Sequence, residues 1–201
     1  MDNLRMVADL DSRLNLGPRL RRAFLTVDRG YFLPASVADK SRYADHPIPI
    51  GHGQTNSQPY TVAFMIKLLE VAPGQRVLDI GCGSGWTTAL LDNLSSPNGE
   101  VTGLERIDAL VAFGRENLRR FGINPEMIQK ARVRPGSEGH RYDRILVSAA
   151  AQRMPGELPE QIAIGGIMVI PLGSSIWKIQ RVGDDTWNRE EYPGFRFVPL
   201  L

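Results

Sequence analysis

Apolar residues recur at helical spacing near the start of the chain, at Leu4, Val7, Ala8 and Leu10 and again at Leu20, Ala23, Phe24 and Val27, with Gly17-Pro18 between the two sets. The pattern predicts two short helices within residues 1–33. Prolines at 34, 47 and 49 among scattered polar residues then predict an irregular segment from Tyr31 to Gly53. A strongly apolar helix is expected from Tyr60 to Glu70. The apolar run beginning at Val77 stops at alternating glycines, Gly81, Gly83 and Gly85, where a strand feeds a tight turn. Strands and helices alternate from there: a helix from Trp86 to Leu94, a strand from Val101 to Glu105, a helix from Ala109 to Phe121, and strands at Met127 to Val133 and Tyr142 to Ser148. A short helix over Leu158 to Ile164, a turn at Gly165-Gly166 and a strand from Ile167 to Leu172 follow. A terminal antiparallel pair, Trp177 to Val182 with Phe195 to Leu200, completes the expectation. Repeated βα units of this kind predict an α/β fold: a Rossmann-like, doubly wound, mostly parallel sheet with N-terminal helices and a ligand at the carboxyl ends of its strands.

Length and composition narrow the picture. With 201 residues, 42% hydrophobic and 23% charged, the chain suits one domain, residues 1–60 supplying helices and a polar loop and residues 61–201 the Rossmann-like core. A formal charge of +2 gives no bulk attraction for nucleic acid, and the Arg19, Arg21 and Arg22 cluster reads as a solvated helix face. Cys82 is the sole cysteine, which rules out an internal disulfide and a thiol-rich zinc site. The lone cysteine suits a reducing cytoplasm, and because the start lacks an apolar signal region and no run reaches 18 apolar residues, neither export nor membrane insertion is expected; the chain is expected to be a monomer. A metal site would need all three histidines, His46, His52 and His140, and none is expected.

The glycine turn admits dinucleotide binding, S-adenosylmethionine binding or a purely packing role. A dinucleotide turn wants a small residue where Trp86 stands, and a P-loop would need a lysine, yet none occurs between Lys67 and Lys130. Asp79, two residues before the first glycine, is placed to meet the ammonium of an amino-acid-like ligand, directly or through water. Glu105, 20 residues after Gly85, suits the two ribose hydroxyls, a device that NAD sites share. The loop Pro49-Ile-Gly-His-Gly-Gln-Thr-Asn-Ser-Gln-Pro59 gathers hydrogen-bonding side chains before the apolar helix. There Ser57 or Gln58 can cap the helix, or Ser57 can contact a substrate. His52 has no recognisable nucleophile partner and reads as structural.

Several of these stretches together resemble the protein-L-isoaspartate O-methyltransferases, which carry S-adenosylmethionine on a class I methyltransferase fold. The likeness runs through Val27-Asp-Arg-Gly-Tyr-Phe-Leu-Pro34, the loop 49–59, the turn Val77 to Gly85, Tyr142 to Ala150, Pro155, Gly165-Gly166, Val169 to Gly173 and Arg196-Phe-Val-Pro-Leu200. The glycine turn is common to methyltransferases of every substrate class, whereas the Gly-His-Gly-Gln-Thr-x-Ser-x-Pro loop is specific to this family. The resemblance implies methyl transfer to the α-carboxylate of isoaspartyl residues in damaged peptides and proteins, an ester that closes to a succinimide and so allows repair.

By the same resemblance Ser57 is the catalytic position. Asp79, Gly81, Cys82, Gly83, Ser84, Gly85, Glu105, Arg106 and Gly136 hold the cofactor. His52, Gln54, Thr55, Ser57, Arg196, Phe197 and Val198 meet the peptide. Two departures from the family pattern stand out: Arg134-Pro135-Gly136 replaces Gly-Asp-Gly, removing a carboxylate acceptor for the adenine, and Asn56 replaces a residue that is commonly apolar. Alternatives are a methyltransferase with a small-molecule or RNA acceptor, a relative that binds peptides without methyl transfer, and a dehydrogenase.

Overall fold

The computed structural model describes residues 2–131, 141–149, 151, 154–156 and 158–197. Helix α1 (Asn3–Leu14) begins at Asp2, whose carboxylate accepts from the Arg5 N–H at 2.9 Å, and ends at Asn15 in the left-handed region. Helix α2 (Gly17–Thr26) starts with Pro18 in its first turn and buries Leu20, Ala23 and Phe24. Both helices fall where the apolar spacing predicts them.

The segment expected to be irregular holds a small hairpin. Strands β1 (Ile48–Gly51) and β2 (Gln54–Asn56) pair antiparallel, Ile48 opposite Asn56, and turn through His52 and Gly53, both at positive φ. Pro49 and the glycines hide the alternation, so sequence pattern alone does not show it. Helix α3 (Pro59–Leu69) follows.

The main sheet has seven strands, β3 (Arg76–Ile80), β4 (Glu100–Glu105), β5 (Ile128–Lys130), β6 (Tyr142–Val147), β7 (Ile162–Leu172), β8 (Ser175–Arg181) and β9 (Trp187–Pro193), in the order β5-β4-β3-β6-β7-β8-β9. The first five strands in this order run parallel, and the last two pairings are antiparallel. Helices α4 (Trp86–Ser95) and α5 (Asp108–Phe121) make the crossovers β3 to β4 and β4 to β5. The chain steps outward from β3 to β5 and then returns to β6 on the other side of β3, so strand order reverses there. Such a switch point leaves a crevice beyond the strands' carboxyl ends.

Alternation along the strands divides the core. Val77, Val101, Ile128, Leu146, Ile167 and Val169 face the helical layer, in one cluster with Phe24, Ile66, Trp86 and Leu91, whereas Leu78, Ile80, Ile145, Val147 and Met168 form the opposite face. Trp86 joins the N-terminal helices to this core: its ring meets Phe24 edge-on at 5.7 Å and its indole N–H donates to the Val27 carbonyl at 3.2 Å.

Three expectations are corrected. Residues 158–164 are not a helix: a single 3-10 turn spans Pro159–Gln161, and Ile162 already pairs with Tyr142 in the sheet. Gly165-Gly166 is not a turn between elements but a bulge within β7, since between Tyr142 and Arg144 of β6 the partner advances from Ile162 to Ile167. A Cβ on Gly166 would lie 2.9 Å from the Asp143 carbonyl oxygen, so only glycine permits that approach. The partner of the penultimate strand is Trp187–Pro193, with Arg181 opposite Trp187 and Ser175 opposite Pro193; of the expected partner, residues 195–197 lie outside any strand and 198–200 lie outside the described residues. Its charged, exposed Arg189, Glu190 and Glu191 suit a sheet edge and carry no apolar alternation to read. The expected strand at Met127 to Val133 is seen over Ile128–Lys130, and its end from residue 132 lies outside the described residues.

Candidate functional site

Between β3 and α4 the chain turns through Gly81, Gly83 and Gly85, at φ of 77°, 52° and 86°, values that side chains other than glycine rarely adopt. The Gly81 and Cys82 N–H groups donate to the Leu104 carbonyl at 2.8 and 3.2 Å, and the Gly85 N–H donates to that of Cys82 at 2.9 Å. From outside, α5 presses on this turn at Gly114, where a Cβ would lie 2.8 Å from the Gly83 carbonyl oxygen. Asn117, one helical turn on, donates from Nδ2 to the Ser84 carbonyl at 3.0 Å, and its buried Oδ1 meets no partner among the described residues. Gly114 and Asn117 escape a reading of the sequence because nothing in their spacing marks them.

Glu105, at the end of β4, accepts from the Gly83 N–H through Oε2 at 3.1 Å and from the Ile107 N–H through Oε1 at 2.9 Å. The acid is thereby fixed in orientation with lone pairs to spare. Asp79 does not reach the cavity directly. Its side chain is fully buried on the helical side of β3, where Thr87 and Thr88 donate to Oδ2 at 2.7 Å each and Ser148 to Oδ1 at 3.4 Å. Burial raises its pKa to about 6 against the pull of those three hydroxyls, and the charge of Glu105 adds to the rise. Asp79 is therefore a strut tying β3 to α4 and β6, and it does not line the cavity. Cys82 does line it, but burial, then Asp79 and Glu105, push its thiol well up, so it stays protonated and is a poor nucleophile.

Facing the glycine turn is the β1–β2 hairpin. Ser57 follows it and does not cap α3: the N-cap residue is Gln58, whose side chain makes no capping bond, and the Tyr60 N–H is taken by Asp45 Oδ1 at 2.9 Å. Ser57 Oγ makes no hydrogen bond among the described residues and stands on the cavity wall. The hairpin is held from behind by Arg29, a fully buried guanidinium in a 3-10 turn. Its groups donate to the carbonyls of Arg42, Ala44, His46, Asn56 and Ser57 at 3.0 to 3.3 Å. Burial lowers its pKa to about 9, still above neutral pH, so the cation persists.

Hairpin and glycine turn enclose one cavity of about 680 Å³, in the range of small-molecule sites. Gln54, Thr55 and Ser57 line one side; Gly81 to Ser84 with Glu105 and Arg106 line the other. Ile107, Ala149, Pro155 and Leu158 add apolar wall, and nothing in the sequence singles them out as ligand contacts. Gly85 serves as the N-cap of α4 behind the turn. His52 is exposed at the hairpin tip, and Arg196 and Phe197 are away from the lining, Phe197 tilted against Phe195 at 6.5 Å. Gly136 and Val198, and with them the Arg134-Pro135 departure, lie outside the described residues.

Comparison with known proteins gives a consistent result. Residues 2–201 match the family model described as protein-L-isoaspartate(D-aspartate) O-methyltransferase. A protein-L-isoaspartate O-methyltransferase of Methanopyrus kandleri is 40% identical over 91% of the chain and 83% of its own length. One from Aeropyrum pernix is 43% identical over 98% and 78%. Among solved structures, a Plasmodium falciparum protein assigned to the same enzyme and crystallised with S-adenosyl-L-homocysteine superposes with a TM-score of 0.84 at 26% identity, covering 100% of this chain and 99% of its own.

Proposed function

The chain belongs to the protein-L-isoaspartate O-methyltransferase family, and from that premise we propose how its cavity carries out the family's reaction. The protein is an S-adenosylmethionine-dependent methyltransferase that acts on L-isoaspartyl residues of peptides and proteins.

The glycine-turn wall fits the cofactor. A Cβ on Gly83 would approach Ile50 Cδ1 to 3.2 Å and narrow the cradle, so glycine keeps the space open. Glu105 spends one lone pair of each oxygen on a backbone N–H and keeps the others for the two ribose hydroxyls. Gly85 gives α4 no side-chain cap, which leaves the first N–H groups of the helix for a carboxylate at the methionine end. Ile107, Ala149, Pro155 and Leu158 offer apolar surface to the adenine. When bound, S-adenosylmethionine supplies a methyl carbon already activated by a positive sulfur.

The hairpin wall takes the acceptor. A carboxylate with an ordinary pKa of about 3.5 to 4 is ionised at neutral pH, so no residue need remove a proton. Ser57 Oγ donates a hydrogen bond that aims the carboxylate, while Gln54 and Thr55 hold the adjoining peptide amides. Positioning of this kind can contribute roughly 7 to 11 kcal/mol in favourable cases. The observation that carries the reading is that Gln54 to Ser57 on one side and Gly81 to Ser84 with Glu105 and Arg106 on the other, far apart in sequence, line a single cavity.

Incubation with labelled S-adenosylmethionine and an isoaspartyl peptide should yield a base-labile methyl ester, with an aspartyl peptide as control. No excess over that control would reject the assignment. A label that moves to a small carboxylic acid or RNA instead would transfer the fold to another acceptor class.

A further inference from the structure

The two walls of the cavity are joined by one side chain. Asn56 is 4% exposed at the end of β2, and its Oδ1 accepts from Arg29 Nε at 2.8 Å. A guanidinium only donates, so the amide oxygen must face Arg29 and the amide nitrogen must point the other way. There Nδ2 donates to Ser84 Oγ at 3.0 Å, inside the glycine turn. Ser84 is held from its far side by Asn117 through its carbonyl, and Arg29 also binds the carbonyls of Asn56 and Ser57. The result is a continuous chain of hydrogen bonds from the Ser57 carbonyl through Arg29 and Asn56 to Ser84 and α5, buried from Arg29 onward. An apolar residue at position 56 could make neither the bond to Arg29 nor the bond to Ser84.

We propose that Asn56 is a positioning residue that couples the acceptor wall to the cofactor wall, so that occupation of the glycine turn tightens binding of the isoaspartyl peptide through the Asn56–Ser84 bond, and conversely. This rests on the methyl-transfer reading given above. Coupling between two ligands is reciprocal, which makes it measurable from either side.

The test titrates an isoaspartyl peptide into the full chain with and without saturating S-adenosylhomocysteine, for the parent, Asn56→Leu, Ser84→Ala and the double variant. The parent should bind peptide about three- to tenfold more tightly when the cofactor product is present, the worth of one hydrogen bond. Each single variant should bring that ratio to within about twofold, and the double variant should lose no more than either single one, as expected for partners in one contact. Ser84→Ala leaves the Arg29–Asn56 pair intact and carries the test should Asn56→Leu fold poorly.

A purely structural role for Asn56 would weaken both ligands and lower the melting temperature with the ratio unchanged, and that result overturns the proposal. So does a parent with no coupling, or a loss in Asn56→Leu that Ser84→Ala does not share. Methyl-ester formation by the same parent preparation separates the two levels: its absence removes the functional reading and this inference with it. An active parent whose variants keep the full ratio removes only the inference.

Discussion

At Glu105 both carboxylate oxygens already accept backbone N–H groups, so Glu105→Gln would set an amide N–H against one of them while also losing charge at the ribose position. S-adenosylhomocysteine affinity should fall at least tenfold by calorimetric titration, with a smaller effect on peptide binding. Ser57→Ala should do the reverse, lowering kcat by about tenfold with cofactor affinity nearly unchanged, because its hydroxyl bonds to nothing among the described residues; turnover equal to the parent's would remove its assigned role. Asp79 gives a pH prediction. Its folded pKa, about 6, lies above the ordinary 3.8, so its contribution to stability is fully present below pH 4 and is lost as pH rises through 6. Asp79→Asn, which cannot ionise, should therefore gain stability relative to the parent by about 2 kcal/mol between pH 4 and pH 7, read from urea melts at stepped pH. A flat difference across that range would contradict the buried-acid account. The position of Asp79 is legible in the sequence but its direction is not: a strand residue points to one of two faces, and only packing against Thr87 and Thr88 decides which.

Among the elements, α5 and α3 carry the next two predictions. Gly114→Ala should raise intrinsic helix propensity by about 1 kcal/mol, yet its Cβ would fall 2.7 Å from Ile128 Cδ1 and 2.8 Å from the Gly83 carbonyl. Backbone cannot yield as a side-chain tip can, so the net effect should be destabilisation of about 1 to 3 kcal/mol, with weakened cofactor binding. A Gly114→Ala variant as stable as the parent would show that α5 does not bear on the turn as described. Helix α3 owes its start to Asp45, which accepts from the Tyr60 N–H and Gln58 Nε2 and pairs with Arg13 of α1 at 2.8 Å. Asp45→Ala should cost about 1 to 2 kcal/mol in denaturant unfolding, more than an exposed ion pair alone would give. Helices with a clear apolar period are legible to within a residue or two. Residues 158–164 are not, because their apolar spacing suits either element, and the free edge of β6 at Tyr142 decides the matter.

Over the whole molecule, the N-terminal helices and the sheet share one apolar cluster, with Trp86 between Phe24 and the α4 side of the core. We propose that residues 1–60 and 61–201 unfold together. Far-UV circular dichroism and tryptophan fluorescence should give coincident thermal transitions, and two separated transitions would divide the chain into independent units. No helix among the described residues is long and apolar enough to cross a membrane.

Apolar periodicity determined the order of most elements, and the glycine turn with its trailing acid determined where the cavity lies, because both are written in neighbouring residues. The sequence also held the loop that marks the family. It could not determine that Asp79 faces inward, that a bulge replaces the Gly165-Gly166 turn, or that Asn56 reaches Ser84 across the cavity. Those outcomes depend on which distant groups arrive beside each residue, and burial makes every unpaired polar atom among them costly enough to choose a single arrangement.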